Sequence, residues 1–460
     1  MLFTSVIFLC CFLPLFFLLD RAWPRSNLFL LLASLVFYAW GEPLYLGLLL
    51  ASSAGNYQLA RLIDGRQGAA RRRLLLLGVA GNLLLLGFFK YAGFILVETL
   101  GARSFVPPPL PLGISFFTFH CLSYLIDVYR GTIPAERSRV DFFTYIALFP
   151  HLIAGPIVRY ADIGPQLKAR GRTLQGMTLG LRLFALGLAQ KLLLADQLAP
   201  LADAVFAADP ASLSPAAAWA GLACFTLQIY FDFAGYSTMA RGLALMLGIS
   251  FPRNFDRPYA AQSVTAFWRR WHITLSSWLR DYLYIPLGGG RRGRLLTARN
   301  LVLTFLACGL WHGAAWTFVV WGLWHGLLLL LERIGLGRLL ARLPRPARHL
   351  YLLLAVMLGW VLFRAADLQA AWGFYGALLG QGSAPDALTL LAPYLRPTLI
   401  ALFLLGWIAA TLDLERLAVL RPLTRWRLGP VNAAATLGLL ALLLVVATAA
   451  TQRSFIYFRF

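Results

Sequence analysis

One of the most apolar stretches of this 460-residue chain, Leu301 to Leu331, carries no acid and no base other than two histidines, His312 and His325. Arginines stand on both sides of it, at Arg299 and Arg333. An ionisable group at that depth is a functional candidate by default. Charging it away from water is opposed, so the ring of His312 is expected to be neutral. A neutral imidazole facing an internal cavity can take a proton from a hydroxyl. The structural alternative is a histidine bonded to a carbonyl where the helix breaks. Trp311, Trp316, Trp321 and Trp324 surround His312 in sequence and could wall off a dry cavity.

His272, in Arg269-Arg270-Trp271-His272, is the expected partner, because the segment before Leu301 can return to the same cavity. Its expected role is to hold an acyl carbonyl or a developing oxyanion as a hydrogen-bond donor; read alone, it also fits an interfacial histidine. His325 would lie roughly 20 Å from His312 along a continuous helix, so a structural role is expected for it unless the chain folds back. His120, Tyr124 and Asp127 share one helix face, as do Gln228, Asp232 and Tyr236. Polar stripes in lipid either face a cavity or bond to one another. His151, after Pro150, is a pore-lining or capping residue, and His349 sits in an arginine-rich loop. The expected lining is thus Trp271, Trp311, Trp316, His120, Asp127, His151, Gln228 and Asp232. The sequence has no metal-binding histidine pair, Walker sequence, G-x-S-x-G elbow or C-x-x-C, so metal, nucleotide-hydrolysis and serine-triad chemistry lack support.

Positioning these groups falls to membrane helices. Sixty per cent of the residues are hydrophobic and 13% charged, against roughly 45–50% apolar in soluble domains. The net charge of +22 does not point to nucleic acid, because the basic residues cluster in loops that alternate with apolar spans. With the N-terminus outside, the inside loops are 20–25, 61–73, 130–139, 168–172, 253–299, 333–348 and 413–427, all rich in arginine or lysine. The outside loops 196–215 and 365–395 hold Asp196, Asp203, Asp209, Asp367 and Asp386 and no base. This asymmetry orients the chain; Arg453 and Arg459 in the outside tail are the exception. Residues 1–19 lack a basic n-region and a small-residue cleavage site, so they read as a retained span. Cys10, Cys11, Cys121, Cys224 and Cys308 have no metal-ligand spacing and read as small buried residues.

Expected spans are 1–19, 26–41, 44–60, 74–97, 112–128, 174–195, 215–249, 350–364, 397–412 and 431–450. The run 301–332 is expected to form two short helices meeting near His312-Gly313-Ala314-Ala315, since an irregular backbone at that depth survives only inside protein or along a cavity. Residues 141–160, broken by Pro150, Gly155 and Pro156, are expected to re-enter the membrane. Residues 251–300 mix tryptophan and tyrosine with nine arginines against Asp256 and Asp281. Arg269, Arg270, Arg280, Arg291 and Arg292 form a basic surface that would draw a phosphate-rich donor or an acidic carrier protein. Gly288-Gly289-Gly290 lacks the Lys-Ser/Thr end of a phosphate loop. The whole chain, 1–460, reads as one integral membrane domain.

Several runs together resemble the membrane-bound O-acyltransferases: Pro111 to His120, Tyr124 to Gly131, Phe149 to Tyr160, Gln228 to Ser237, Phe267 to Ser276, Asp281 to Gly289 and Cys308 to Trp316. The likeness covers most of 105–335, and the closing Phe455 to Phe460 is similar to the bacterial polysaccharide branch, close to alginate O-acetylation. The resemblance implies an all-α polytopic fold of about 10–12 membrane helices ringing a central tunnel. It implies a family histidine at His312 and a second catalytic position at His272. It further implies a cytoplasmic acyl thioester, acetyl-coenzyme A or an acyl carrier protein, as co-substrate with no tightly bound cofactor. Membrane lipid, a polysaccharide acceptor and periplasmic acetyltransferase-type partners are implied, in a bacterial inner membrane with both termini outside. His120 and His151 depart from the glutamines of close relatives. D-alanylation of teichoic acid, acyl transfer to peptidoglycan or lipid, and proton-coupled transport are the alternatives.

Overall fold

The computed structural model describes residues 1–23, 26–102, 104–291, 293–382, 390–412, 430–449 and 455–456. Among these residues there are helices and turns but no strand. Among the described residues, six helices are long and apolar enough to cross a bilayer: Gly68–Thr99, Leu174–Ala207, Pro215–Met246, Arg294–His312, Trp316–Arg342 and Arg345–Arg364. Asn27–Gly41, Pro397–Thr411 and Ala434–Ala449 are shorter apolar helices. Helices satisfy their own backbone groups, which hydrocarbon cannot do for them. The chain is an all-α multi-pass membrane protein.

It divides into two compact units. The first comprises Met1–Leu188, Tyr236–Arg253 and Arg427–Phe458. In it, Asn56 and Asn82 exchange side-chain hydrogen bonds of 3.1 and 2.6 Å between neighbouring helices. The segment expected to be broken is so: a helix Arg139–Ala147 ends where Leu148 turns extended, a single turn Phe149–Leu152 follows, and helix Tyr160–Lys168 resumes after an irregular stretch. Glu136 lies between helices, accepting from Tyr160 Oη at 2.5 Å and pairing with Lys168 Nζ at 2.5 Å. Arg172 pairs with the buried Asp20. Two sequence expectations fail here: Cys10 and Cys11 are exposed rather than buried, unlike Cys121, Cys224 and Cys308.

The second unit comprises Ala189–Gly235, Asn254–Trp426 and Arg459–Phe460. Residues 196–215, expected as a loop, include the helix Asp196–Ala207, and 365–395 includes the helix Leu368–Leu378. Asp196 stays in a helix because its charge is answered by Lys191 Nζ at 2.8 Å. The same buried ammonium reaches Asp232 at 2.5 Å. Lys191 stands in the π-helical turn Gln190–Ala195, a distortion frequent at functional positions. Asp386 and loop 413–427 lie outside the described residues.

The run around His312 forms two helices, Arg294–His312 and Trp316–Leu331, separated by Gly313–Ala315. They run antiparallel in close contact: a Cβ on Gly309 would meet Phe318 O at 2.2 Å, one on Gly322 would meet Phe305 O at 2.4 Å, and one on Gly326 would meet Val302 Cα at 3.5 Å. Glycine at 309 and 322 is what lets the backbones cross this tightly. The first helix begins at Arg294, seven residues before the apolar run, so the first arm is longer than the run alone indicated.

Candidate active site

His312 is the last residue of the first arm, and the turn that follows is possible because Gly313 is extended and lacks a side chain: a Cβ there would meet the Phe318 ring at 2.1 Å. The imidazole is 2% exposed. Three rings wall it in, each steeply inclined to it: Trp311 at 5.0 Å between centroids, Trp321 at 5.1 Å and Phe363 at 5.2 Å. His272 stands 6.2 Å away, also buried, with its ring 5.7 Å from Trp311.

The approach of His272 rests on local strain. Its φ of +43° is left-handed, which is uncommon for a residue other than glycine, and it precedes the short helix Ile273–Leu279. Asn254 holds this geometry. Its backbone carbonyl accepts from Ile273 N at 2.9 Å, and its side-chain oxygen accepts from Thr274 N at 3.2 Å and Thr274 Oγ1 at 2.9 Å. That same oxygen lies 3.1 Å from His272 Nδ1. Because an oxygen already accepting from an amide can only accept, Nδ1 of a neutral His272 carries the proton and Nε2 is its acceptor nitrogen. The oxyanion-donor role expected for His272 therefore does not suit this tautomer.

Trp271 is fully buried in the aromatic floor beneath, stacked on Phe267 at 5.4 Å and 4.9 Å from Trp360. Trp316 is 48% exposed at the start of the second arm. His325, brought back by the hairpin, shares Trp321 with His312, its ring 4.9 Å from that indole. It accepts from Trp268 Nε1 at 3.2 Å, a structural engagement. Gln228 and Asp232 are buried, with Asp232 held by Lys191. His120, Asp127 and His151 belong to the first unit. There the rings of His120 and His151 stand perpendicular at 4.6 Å, and His120 Nε2 accepts from Val158 N at 3.3 Å. Trp321, one of the four tryptophans expected to wall the cavity, does face His312, whereas Asn254, Phe363 and Lys191 carry no such expectation from sequence.

A cavity of about 490 Å³ opens beside this centre. Arg269, Arg280 and Arg333 line it together with Ser276, Ser277 and Cys308. Cys308 lies one helical turn before His312, about 6 Å along the axis. Arg280 is paired with Asp281 at 2.6 Å. Arg269 and Arg291 are exposed, Arg270 is half-buried, and Arg292 lies outside the described residues. The Gly288–Gly290 run is tied to the helix below by Asn300 Nδ2, which donates to Gly289 O at 3.0 Å and Leu287 O at 3.2 Å.

Residues 132–365 match the model of the membrane-bound O-acyltransferase family. A protein of Azotobacter vinelandii named as a probable alginate O-acetylase is 46% identical over 395 residues, covering 83% of this chain and 79% of its own. The peptidoglycan O-acetyltransferase of Helicobacter pylori is 39% identical over 429 residues, covering 83% and 80%. The teichoic acid D-alanyltransferase of Streptococcus thermophilus is 28% identical over 221 residues, covering 45% and 52%. With two buried imidazoles beside an arginine-bordered cavity in an all-α membrane scaffold, and with relatives of this closeness, the chain belongs to the membrane-bound O-acyltransferase family and is an O-acyltransferase.

Proposed function

We propose that the protein transfers an acetyl group from a cytoplasmic thioester towards hydroxyls of an exported polysaccharide such as alginate. His312 is the general base. As the acceptor oxygen attacks the thioester carbonyl, its proton passes to His312, the C–O bond forms and the C–S bond breaks. The departing sulfur takes that proton back, leaving an ester and a free thiol. Such base assistance supplies roughly 10²–10⁴-fold. His272, with Nε2 as acceptor, receives a hydrogen bond from a second hydroxyl of the sugar and orients it. The aromatic wall keeps water from hydrolysing the thioester.

The observation that carries this reading is the placement of His312 beside His272, one helical turn from the cavity at Cys308. That cavity suits the donor: guanidinium groups for phosphate, and serine hydroxyls for the amides of a pantetheine arm, which coenzyme A and carrier proteins share. No tightly bound cofactor is needed beyond the thioester. The arginine-rich loops support a cytoplasmic placement of this cavity in a bacterial inner membrane, with both termini outside. Periplasmic partners would complete delivery to the polymer. Acetyl is favoured over D-alanyl because the relatives covering most of the chain carry acetyl-transfer names, while the D-alanyltransferase matches under half of it; a peptidoglycan acceptor is the second reading, favoured by the Helicobacter relative.

The test uses purified protein, acetyl-coenzyme A and oligouronate or peptidoglycan-fragment acceptors. His312→Ala is expected to elute as a folded protein with transfer lost. Retained acetylation in that variant rejects the assignment, and transfer of D-alanine in place of acetate rejects the donor.

A further inference from the structure

A second cavity, of about 500 Å³, adjoins the first in the same unit. The two share Thr265, Leu301, Leu329 and Arg333. Its walls divide by chemistry. Leu301, Leu329 and Leu340 supply an aliphatic side, while Arg333, Arg348 and Gln262 supply a polar one. The single acid on its wall, Glu332, is already engaged: its carboxylate accepts from Val264 N at 2.6 Å, from Thr265 N at 2.9 Å, from Thr265 Oγ1 at 2.6 Å and from Tyr351 Oη at 3.2 Å. Among the described residues, neither Arg333 nor Arg348 is within ion-pair distance of a carboxylate. Arg348 Nε is buried without a hydrogen-bond partner.

Two guanidinium groups over an aliphatic floor, where helices Arg294–His312 and Trp316–Leu331 both reach the arginine-rich loops, describe an amphiphile's site. We propose that this cavity binds an anionic glycerophospholipid of the leaflet those loops face, with its phosphate on Arg333 and Arg348 and an acyl chain along Leu301, Leu329 and Leu340. Bidentate contact with phosphate is what guanidinium geometry favours. Among the described residues no aromatic side chain lines the cavity, so nothing there would stack on the adenine of a nucleotide donor. Because Arg333 borders both cavities, the lipid phosphate shares a cation with the neighbouring one.

The experiment is native mass spectrometry of the detergent-purified full chain titrated with phosphatidylglycerol or phosphatidylcholine of matched chains. Phosphatidylglycerol is expected to be retained preferentially. Retention should weaken about tenfold in Arg348→Ala, the loss of one charged hydrogen-bonding group, and recover in part in Arg348→Lys. Leu340→Gln, which leaves both arginines, should lower retention of the lipid but not of glycerol phosphate. Equal retention of the two lipids overturns the proposal, as does unchanged retention in Arg348→Ala. Displacement of the lipid by inorganic phosphate alone would reduce the site to an anion site, and displacement by coenzyme A would assign it to the donor. The readout is binding, so failure of the acetyl-transfer reading would leave this result standing.

Discussion

Asn254→Ala separates how much of the site depends on the tautomer of His272 from how much depends on its placement. The Asn254 side-chain oxygen serves His272 Nδ1, Thr274 N and Thr274 Oγ1 in a residue 1% exposed. A neutral hydrogen bond contributes about 1 kcal/mol net, which at room temperature is roughly a fivefold preference for the Nδ1–H tautomer. Losing that preference alone takes the population with Nε2 as acceptor from about five in six to one half, less than a twofold effect on rate. Placement weighs more. Asn254 also holds the left-handed His272 and the start of helix Ile273–Leu279, and a shift of about 1 Å in a reacting group can cost roughly 10²-fold. The variant should therefore lose about 10–100-fold in kcat/KM, together with about 1–3 kcal/mol of stability from the orphaned Thr274 N–H. Asn254→Asp keeps the acceptor oxygen and should recover much of the activity. Initial rates of thiol release by the detergent-solubilised enzyme measure this. The assay needs a Cys10→Ser, Cys11→Ser background, because those two thiols are exposed while the other three are buried. A folded Asn254→Ala enzyme with more than half the wild-type rate would refute the positioning argument, and so would an Asn254→Asp variant no better than alanine.

Gly309→Ala places a methyl group 2.2 Å from Phe318 O; the hairpin should open, with recovery of monodisperse protein and the melting temperature both falling. Lys191→Met removes the buried ammonium that Asp196 and Asp232 share and should cost about 3–5 kcal/mol, the usual consequence of removing one partner of a buried pair, while Lys191→Arg should retain most of the stability in the same thermal unfolding assay. Burial opposes ionisation of Glu136, but Lys168 and Tyr160 outweigh it and hold its carboxyl below its ordinary value. For such a depressed group the stabilisation is complete above the unfolded value of about 4.3 and is lost as pH falls through the folded value, so Glu136→Gln should lower the melting temperature at pH 7 and flatten its acid-side decline.

The break at His312 was legible because the signal was local: a base and a glycine inside an apolar run too long for one crossing. Its walls were less so. Trp316 was read with the other tryptophans as lining, yet it is Trp321 that faces His312; five residues at about 100° each carry a side chain to nearly the opposite side of a helix. Phe363 and Asn254 reach the site from helices and loops distant in sequence, and no spacing rule joins them to His312. Lys191 had a signal that went unused. It falls inside the expected span 174–195, where an ammonium demands a partner, and Asp196 and Asp232 both stand among the acids read from sequence. The loops at 196–215 and 365–395 are expected from their acids and their lack of a base. Acids sit comfortably in or before helices when a lysine answers them, as with Asp196, or when they cap, as Asp367 does towards Ala370 N at 2.8 Å.

The position of His312 in its helix connects the fold to the chemistry more closely than burial alone. In the ground state a neutral ring suits a pocket walled by two indoles and a phenyl ring. In the transition state proposed above, the ring would gain a proton and become a cation at the last residue of a 19-residue helix. There the unsatisfied carbonyls of the final turn present the negative end of the helix dipole, which stabilises a cation by up to about 2 kcal/mol in partly buried geometry. The faces of neighbouring aromatic rings are also able to stabilise a cation once it is desolvated. Both contributions act on the charged form and scarcely on the neutral one. That difference is the condition for accelerating a reaction rather than merely binding its substrate. A histidine placed mid-helix would have its dipole contribution cancelled by the turns on either side, so the break at Gly313 does more than open space: it supplies the electrostatic end that the base proposed at His312 would require.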